Sequence, residues 1–183
     1  MTKSALILID LQNDYFPDFP EPKMALPNTN PATDNAAALL ADARAKGAPL
    51  FHIRHVMASD AAPFFHPGTE GADTHPKVAP LDGEPIIGKT RPSAFYGTDL
   101  EARLRDQGIT DVTLCGAMSQ MCVNGTARAA SGMGFNVTVV EDACAAANVA
   151  YNGVDVLAEQ VHAAIMAPLS SSFGSVVATS DDL

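Results

Sequence analysis

Three side chains that could together cleave an acyl bond follow three different apolar segments of the chain. They are Asp10, Lys89 and Cys122. A thiol can act as the nucleophile, a carboxylate can take and return its proton, and an ammonium group can stabilise the thiolate and orient the carboxylate. Each residue type alone is more often structural, since an aspartate after a strand commonly occupies a turn and a lysine is usually at the surface. Their joint placement predicts covalent acyl transfer that needs no histidine.

The cysteine of this set lies where a helix is expected to begin. Residues 112–115 have the pattern of a short buried strand, Gly116 interrupts it, and small and apolar residues recur at helical spacing from about Gln120. At the start of a helix, the dipole and unpaired backbone N–H groups favour the thiolate of Cys122 over the neutral thiol. The alternative is that Cys122 is one more small buried hydrophobic residue.

The elements that must position these side chains alternate along the chain. Residues 4–9 form an almost continuous apolar run, which is typical of a parallel strand covered on both faces. The other predicted strands are 49–56, 86–87, 112–115, 136–140 and 175–178. Predicted helices run from Asn30 and Pro31 to Gly47, from Thr98 to Gly108, from about Gln120, and from Val154 to about Ala167.

This alternation predicts an α/β fold with a doubly wound, six-stranded, mostly parallel sheet in the order 3-2-1-4-5-6 and helices on both faces. In that order the first and fourth strands are neighbours at the topological switch point, where such folds bind ligands. Asp10 and the turn 116–122 would therefore meet there. We expect a carboxylate, an ammonium group and a sulfur atom to converge at the edge of one crevice.

Composition limits the functions that the chain can have. With 183 residues and 47% hydrophobic content, it is expected to form a single domain spanning 1–183. The net charge of −10 and the pI near 4.7 argue against nucleic acid and membranes as partners and favour a small-molecule substrate. Three cysteines, no recognisable signal peptide and no apolar run of the roughly 20 residues that span a bilayer predict a cytoplasmic protein with reduced thiols.

Two long segments rich in proline and glycine, 15–30 and 57–85, are expected to cover the site, because loops of this length inside a domain usually have a function. Aromatic residues in or beside these and neighbouring loops are candidates for pocket walls, although such residues are more often packing anchors. The candidates are Phe16, Phe64, Phe65, Phe95 and Tyr96. No organic cofactor is expected, since Gly-Met-Gly at 132–134 lacks the dinucleotide fingerprint and no phosphate-binding loop occurs.

On these residues the sequence resembles the isochorismatase-like cysteine hydrolase superfamily, and within it the amidohydrolase branch that includes nicotinamidases, N-carbamoylsarcosine amidases and ureidoacrylate hydrolases. The resemblance covers nearly the whole chain. Its motifs are Leu-Ile-Asp-Leu-Gln-Asn-Asp at 8–14, Lys89 followed by Ser-Ala-Phe at 93–95 and Gly-Thr-Asp-Leu at 97–100, and finally Gly116, Ser119, Cys122, Val123, Thr126 and Ala129.

The resemblance implies specific roles for residues of the site. Asp10, Lys89 and Cys122 match the catalytic triad of the family, and the family pattern places the oxyanion hole at the backbone N–H groups of Met118 and Cys122. It also implies a cis peptide between Ala117 and Met118. True isochorismatases cleave a vinyl ether and lack this cysteine, so Cys122 indicates hydrolysis of a C–N bond. A homodimer or homotetramer is the expected assembly.

A metal is not expected. Nicotinamidases place Asp-x-His and a further histidine after the second strand, whereas the nearest fragment here is Asp73-Thr-His75, with His66 upstream. His52 and His55 are three apart on a strand and should point to opposite faces, with His55 near the mouth of the site. The expected activity is thus metal-independent.

Three other functions stay open. The first is an ether hydrolase or a nicotinamidase of the same superfamily. The second is a small-molecule-binding protein that keeps this fold without turnover, because a fold does not determine function. The third is a redox protein that uses Cys122 with Cys115 or Cys144.

Overall fold

The computed structural model describes residues 3–57, 59 and 62–179. Within them a six-stranded parallel sheet has the order β3-β2-β1-β4-β5-β8. The strands in chain order are β1 (Ser4–Ile9), β2 (Leu50–His55), β3 (Ile86–Lys89), β4 (Asp111–Ala117), β5 (Asn136–Ala145), β6 (Val149–Tyr151), β7 (Val154–Val156) and β8 (Ser175–Val177). The predicted order is confirmed, with the sixth strand of the sheet being the eighth in the chain.

Helices cover both faces of the sheet, as predicted. They are α1 (Thr29–Lys46), α2 (Leu100–Asp106), α3 (Asn124–Gly132) and α4 (Ala158–Ser172). Leu6 and Leu8 of β1 pack in the same apolar cluster as α1, whereas Ile7 and Ile9 belong to the cluster that contains buried residues of α2, α3 and α4. None of the helices in the described ranges is long and apolar enough to cross a lipid bilayer.

The predicted helix from Val154 is wrong over its first residues. Val154–Val156 is a strand that pairs antiparallel with Val149–Tyr151, and α4 begins only at Ala158. The turn between the two strands contains Asn152 and Gly153 with φ of 50° and 77°, the positive values that a type I′ hairpin turn requires. Asn-Gly between apolar residues was therefore a readable hairpin signal.

The strand β5 ends at Ala145, five residues beyond the predicted end at 140. Its added part pairs with the end of β4, since Cys144 lies opposite Gly116 and Ala145 opposite Ala117. The register shifts between Leu114 and Gly116, where β4 has an irregularity. This extension brings β5 to the turn that carries Cys122.

Gly116 allows β4 to lie against the end of β1. Its φ is 126°, and a Cβ atom at this position would lie 2.0 Å from the carbonyl oxygen of Ile9, the residue before Asp10. A side chain would therefore force apart the two strands whose ends form the site.

We expect Gly116→Ala to lower the free energy of unfolding by about 3 kcal/mol or more, because backbone strain adds to a steric clash. Urea denaturation would measure the change. Gly132→Ala is the matched control, since a methyl group at that position would have no atom within 4 Å and the φ of Gly132 is not positive. It is expected to be neutral or slightly stabilising. Equal stability of the two variants would contradict this role of Gly116.

Candidate active site

The three side chains predicted to act together do converge at one edge of the sheet. Asp10 follows β1, Lys89 ends β3, and Cys122 lies in the helical turn after β4. The Lys89 Nζ atom lies 2.6 Å from Oδ2 of Asp10 and donates a hydrogen bond of 3.2 Å to Sγ of Cys122. Asp10 has a left-handed backbone with φ of 50°, a conformation that is uncommon in residues other than glycine.

A fourth side chain, His55, completes this cluster. Its Nδ1 atom lies 3.0 Å from Nζ of Lys89 and 3.9 Å from both Sγ of Cys122 and Oδ2 of Asp10. The sequence predicts His55 only near the mouth of the site. The missed signal was its position, because the last residue of a strand beside β1 must reach the same sheet edge as Asp10, and His55 is in register with Lys89.

His52, as predicted, does not join His55. It is buried, and its Nε2 atom lies 2.9 Å from Oε2 of Glu84, which also binds the guanidinium of Arg44. Burial lowers the pKa of His52 despite the nearby carboxylate, so the contact is a hydrogen bond from a neutral imidazole. Glu84 and Arg44 form a structural cluster that ties the segment before β3 to α1.

Burial and charge determine which groups of the site are ionised. Burial raises the pKa of Asp10, while the Lys89 ammonium opposes that shift. Burial, together with the charge of Asp10, raises the pKa of the Cys122 thiol, so the expected resting thiolate is wrong. The helix-start argument failed because desolvation outweighs the dipole when the sulfur is buried. The Lys89 ammonium thus balances one negative charge. Of Asp10 and Cys122, one group carries that charge and the other holds a proton.

Cys122 is also less accessible than expected for a residue at the edge of a crevice, with 3% of its surface exposed. It packs in the apolar cluster that includes Val123 and Phe95. The helix begins at Ser119, close to the predicted start near Gln120, and its first turn is a π-helical turn over Ser119–Val123 with Cys122 inside it. The thiol therefore has little contact with solvent in this structure.

The cis peptide implied between Ala117 and Met118 is present. Met118 directly precedes the π-helical turn, and its carbonyl oxygen accepts hydrogen bonds from the N–H groups of Met121 and Val123. Met118 and Cys122 therefore lie at the start of the helix, where backbone N–H groups are available to an anion. Their role as an oxyanion hole stays a prediction.

Two polar residues after Asp10 hold the covering segments in place, and the sequence alone gave neither of them a role. Gln12 is fully buried, and its side chain bonds both the N–H and the carbonyl of His55 at 2.8 Å as well as the carbonyl of Ala72. Asp14 accepts a hydrogen bond of 2.7 Å from the N–H of Phe65. The signal available in the sequence was the presence of polar residues shortly after an apolar strand, where buried polar groups need hydrogen-bond partners.

Ser119 connects the cysteine turn to two other elements. Its hydroxyl lies 2.9 Å from Nδ1 of His162 on α4 and 3.1 Å from the carbonyl oxygen of Ala145 on β5. The Nε2 atom of His162 lies 3.3 Å from Glu141. His162 had no sequence signal because it lies 43 residues from Ser119. These contacts orient the first residue of the turn.

Of the predicted pocket walls, Phe65 lies near the cluster and Phe64 packs on Phe65. Phe65 is fully buried, with its ring centroid 6.3 Å from that of His55, and Phe64 packs edge-on against it at 4.8 Å. Phe95 packs in the same apolar cluster as Cys122.

The other two aromatic residues do not face the cluster in the same way. Phe16 is fully buried and stacks on the ring of His75 at 3.8 Å, which makes it a packing anchor. Tyr96 is 68% exposed. A pocket wall at either position is not supported by these contacts.

In the part of the chain that the structure describes, one group of side chains could hold a metal ion: the ligand atoms of Asp10, His55 and Cys122 lie within 4.8 Å of one another. Oxygen, nitrogen and sulfur donors suit Zn²⁺, yet the Lys89 ammonium lies among these same atoms. This group of possible ligands differs from the fragment around Asp73 and His75 that the sequence analysis considered. Asp73 binds Arg54 and His75 stacks on Phe16, apart from the cluster.

Comparisons with known proteins agree with this fold. The isochorismatase family protein YddQ of Bacillus subtilis is 44% identical over 176 residues, covering 96% of each chain. A crystal structure from Oleispira antarctica, described as an isochorismatase hydrolase, superposes with a TM-score of 0.93 at 42% identity and covers 97% of this chain and 94% of that one.

A more distant relative, streptothricin hydrolase of Streptomyces noursei, is 34% identical over 139 residues, which are 76% of this chain and 48% of that protein. The family model for the isochorismatase domain matches residues 4–181. With that match over nearly the whole length and with these relatives, the chain belongs to the isochorismatase family of hydrolases.

Proposed function

We propose that this hydrolase cleaves a C–N bond, an amide or carbamoyl bond of a small molecule, through a thioester on Cys122 and without a metal. The observation that carries the proposal is the contact of one buried ammonium group, Lys89, with both the Asp10 carboxylate and the Cys122 sulfur. A carboxylate and a thiol beside one cation can exchange a proton without changing the charge of the site. An ether hydrolase would have no use for a sulfur nucleophile.

In the first half of the reaction, Asp10 takes the proton of the Cys122 thiol as the sulfur attacks the carbonyl carbon. The negative charge moves from the carboxylate to the sulfur and then to the carbonyl oxygen, where the N–H groups of Met118 and Cys122 stabilise it. Asp10 returns the proton to the nitrogen, and ammonia or an amine leaves. Lys89 stabilises whichever group carries the charge.

In the second half, water replaces the amine beside Asp10. The carboxylate takes one proton of the water as its oxygen attacks the thioester carbon. The C–S bond breaks, the sulfur regains a proton from Asp10, and a carboxylic or carbamic acid leaves. One amide and one water thus yield one acid and one amine, with the enzyme unchanged.

The test is release of ammonia from a panel of primary amides, carbamoyl compounds and lactams. We expect turnover of at least one class, unchanged after dialysis against EDTA, together with an acyl-enzyme adduct on the peptide containing Cys122 in quenched reactions. Loss of activity with EDTA that returns with Zn²⁺ would instead indicate a metal enzyme built on Asp10, His55 and Cys122. Binding of panel compounds without any turnover would favour the non-catalytic alternative.

A further inference from the structure

The protonation of His55 follows from its contact with Lys89. An ammonium group has only donors, so the Nδ1 atom of His55, 3.0 Å from Nζ, accepts that hydrogen bond. The ring proton must then lie on Nε2. Burial and the adjacent Lys89 charge lower the pKa of His55 to about 4, which agrees with a neutral imidazole at pH 7.

The Nε2–H group is a buried donor without a hydrogen-bond partner among the described residues. His55 as a whole is 8% exposed. A buried donor left unpaired costs about 1–3 kcal/mol, and beside the catalytic cluster a bound ligand can supply the missing partner. The other buried polar atoms of the cluster, the oxygens of Asp10, have a role in the proposed chemistry, whereas this N–H group has none.

The hydrogen bond between Nδ1 and Lys89 restrains the imidazole, and the main chain that carries it is fixed as well. Gln12 bonds the main chain of His55 on both sides, at its N–H and at its carbonyl, each at 2.8 Å. The centroid of the Phe65 ring lies 6.3 Å from that of the imidazole. The Nδ1 atom of His55 lies 3.9 Å from the Cys122 sulfur, and the Nε2–H donor is on the same ring. A small substrate is long enough to contact both the sulfur and this donor.

We propose that the Nε2–H of His55 binds a second acceptor atom of the substrate, so that the site selects small amides with a carbonyl oxygen or ring nitrogen next to the scissile carbonyl. This inference rests on the proposed function and names the substrate class that it serves. A neutral donor suits a neutral acceptor, since the one cation of the site is already balanced by the carboxylate. His55 is then a residue that determines specificity.

Two variants separate the roles of the two ring nitrogens. In His55→Asn, the amide oxygen takes the place of Nδ1 and keeps an acceptor for Lys89, but the donor at the Nε2 position is lost. In His55→Gln, the longer side chain returns a donor near the Nε2 position and loses the acceptor. His66→Asn is the control, because no side-chain contact joins His66 to the cluster in the structure as described.

The readout is alkylation of Cys122, followed by peptide mass spectrometry, with two neutral reagents of similar size. Iodoacetamide has a carbonyl acceptor next to the reacting carbon, whereas allyl bromide has none. The ratio of the two rates cancels general changes in thiol reactivity, and it does not require turnover. We expect His55→Asn to lower the ratio ~10-fold, the effect of one lost hydrogen bond, and His55→Gln and His66→Asn to keep it within ~3-fold of wild type.

Three results would overturn the inference: an unchanged ratio in His55→Asn, an equal loss in His55→Gln, or a wild-type Cys122 that neither reagent labels. An equal loss would show that the contact with Lys89 sets the preference. If the ratio behaves as expected while no amide is hydrolysed, the acceptor site stands and the proposed reaction fails. The two conclusions are therefore tested separately.

Discussion

Replacing Lys89 with methionine is expected to lower the free energy of unfolding by about 3–5 kcal/mol at pH 7 and to reduce hydrolysis at least ~10²-fold. The side chains of Lys89 and Asp10 are both fully buried, with their charged atoms 2.6 Å apart. Methionine fills a similar volume but leaves the carboxylate without a cation. Urea denaturation and ammonia release would measure the two effects.

The pH dependence of this loss has a definite sign. The folded-state pKa of Asp10 is raised above its ordinary value, so ionisation of this group opposes folding as the pH rises through the folded-state pKa. Without Lys89 that pKa rises further. Lys89→Met should therefore be destabilised less at pH 5 than at pH 8, because a protonated Asp10 needs no counter-charge.

Two further variants make the interpretation specific. The double variant Asp10→Asn, Lys89→Met removes both charges and is expected to recover most of the lost stability but none of the activity. Lys77→Met removes a half-exposed lysine that pairs with Asp34 and should change stability by less than ~1 kcal/mol. A Lys89→Met variant as stable as Lys77→Met would refute the proposed charge balance.

Replacing Cys122 with serine is expected to reduce hydrolysis ~10⁴-fold or more while the fold persists. The hydroxyl of serine is far less acidic than a thiol, so Asp10 cannot deprotonate it effectively. The atom remains in place beside Lys89, and the change in volume is small. Ammonia release on the active panel compound, with thermal unfolding as a check on folding, measures the effect.

The controls are the other two cysteines, which are both buried and form no disulfide bond within the described residues. Cys115 packs on the face of the sheet opposite to Cys122, in the cluster with α1. Cys144→Ala and Cys115→Ala should keep activity within ~3-fold of wild type. An equal loss in either would support the redox alternative, in which two thiols act together.

The parts of the fold that the sequence predicted correctly depend on local patterns. Apolar runs such as 4–9 identified the strands, and the handedness of parallel crossovers restricted the strand order. The hairpin before α4 was missed because its strands, Val149–Tyr151 and Val154–Val156, are only three residues long and mostly exposed. The Asn-Gly turn favours a hairpin at this point, so the helix begins only after the second strand.

The sequence by itself determined that Asp10, Lys89 and Cys122 would meet, because each lies at or shortly after the end of a strand and the carboxyl ends of parallel strands share one edge. Only the tertiary structure decided how the charge is distributed among them. Desolvation depends on every atom packed around a group, so neither the neutral thiol of Cys122 nor the unpaired N–H of His55 can be read from neighbouring residues in the chain. The hydrogen bonds of Gln12 cannot be read from neighbouring residues either, because its partners lie 43 and 60 residues away.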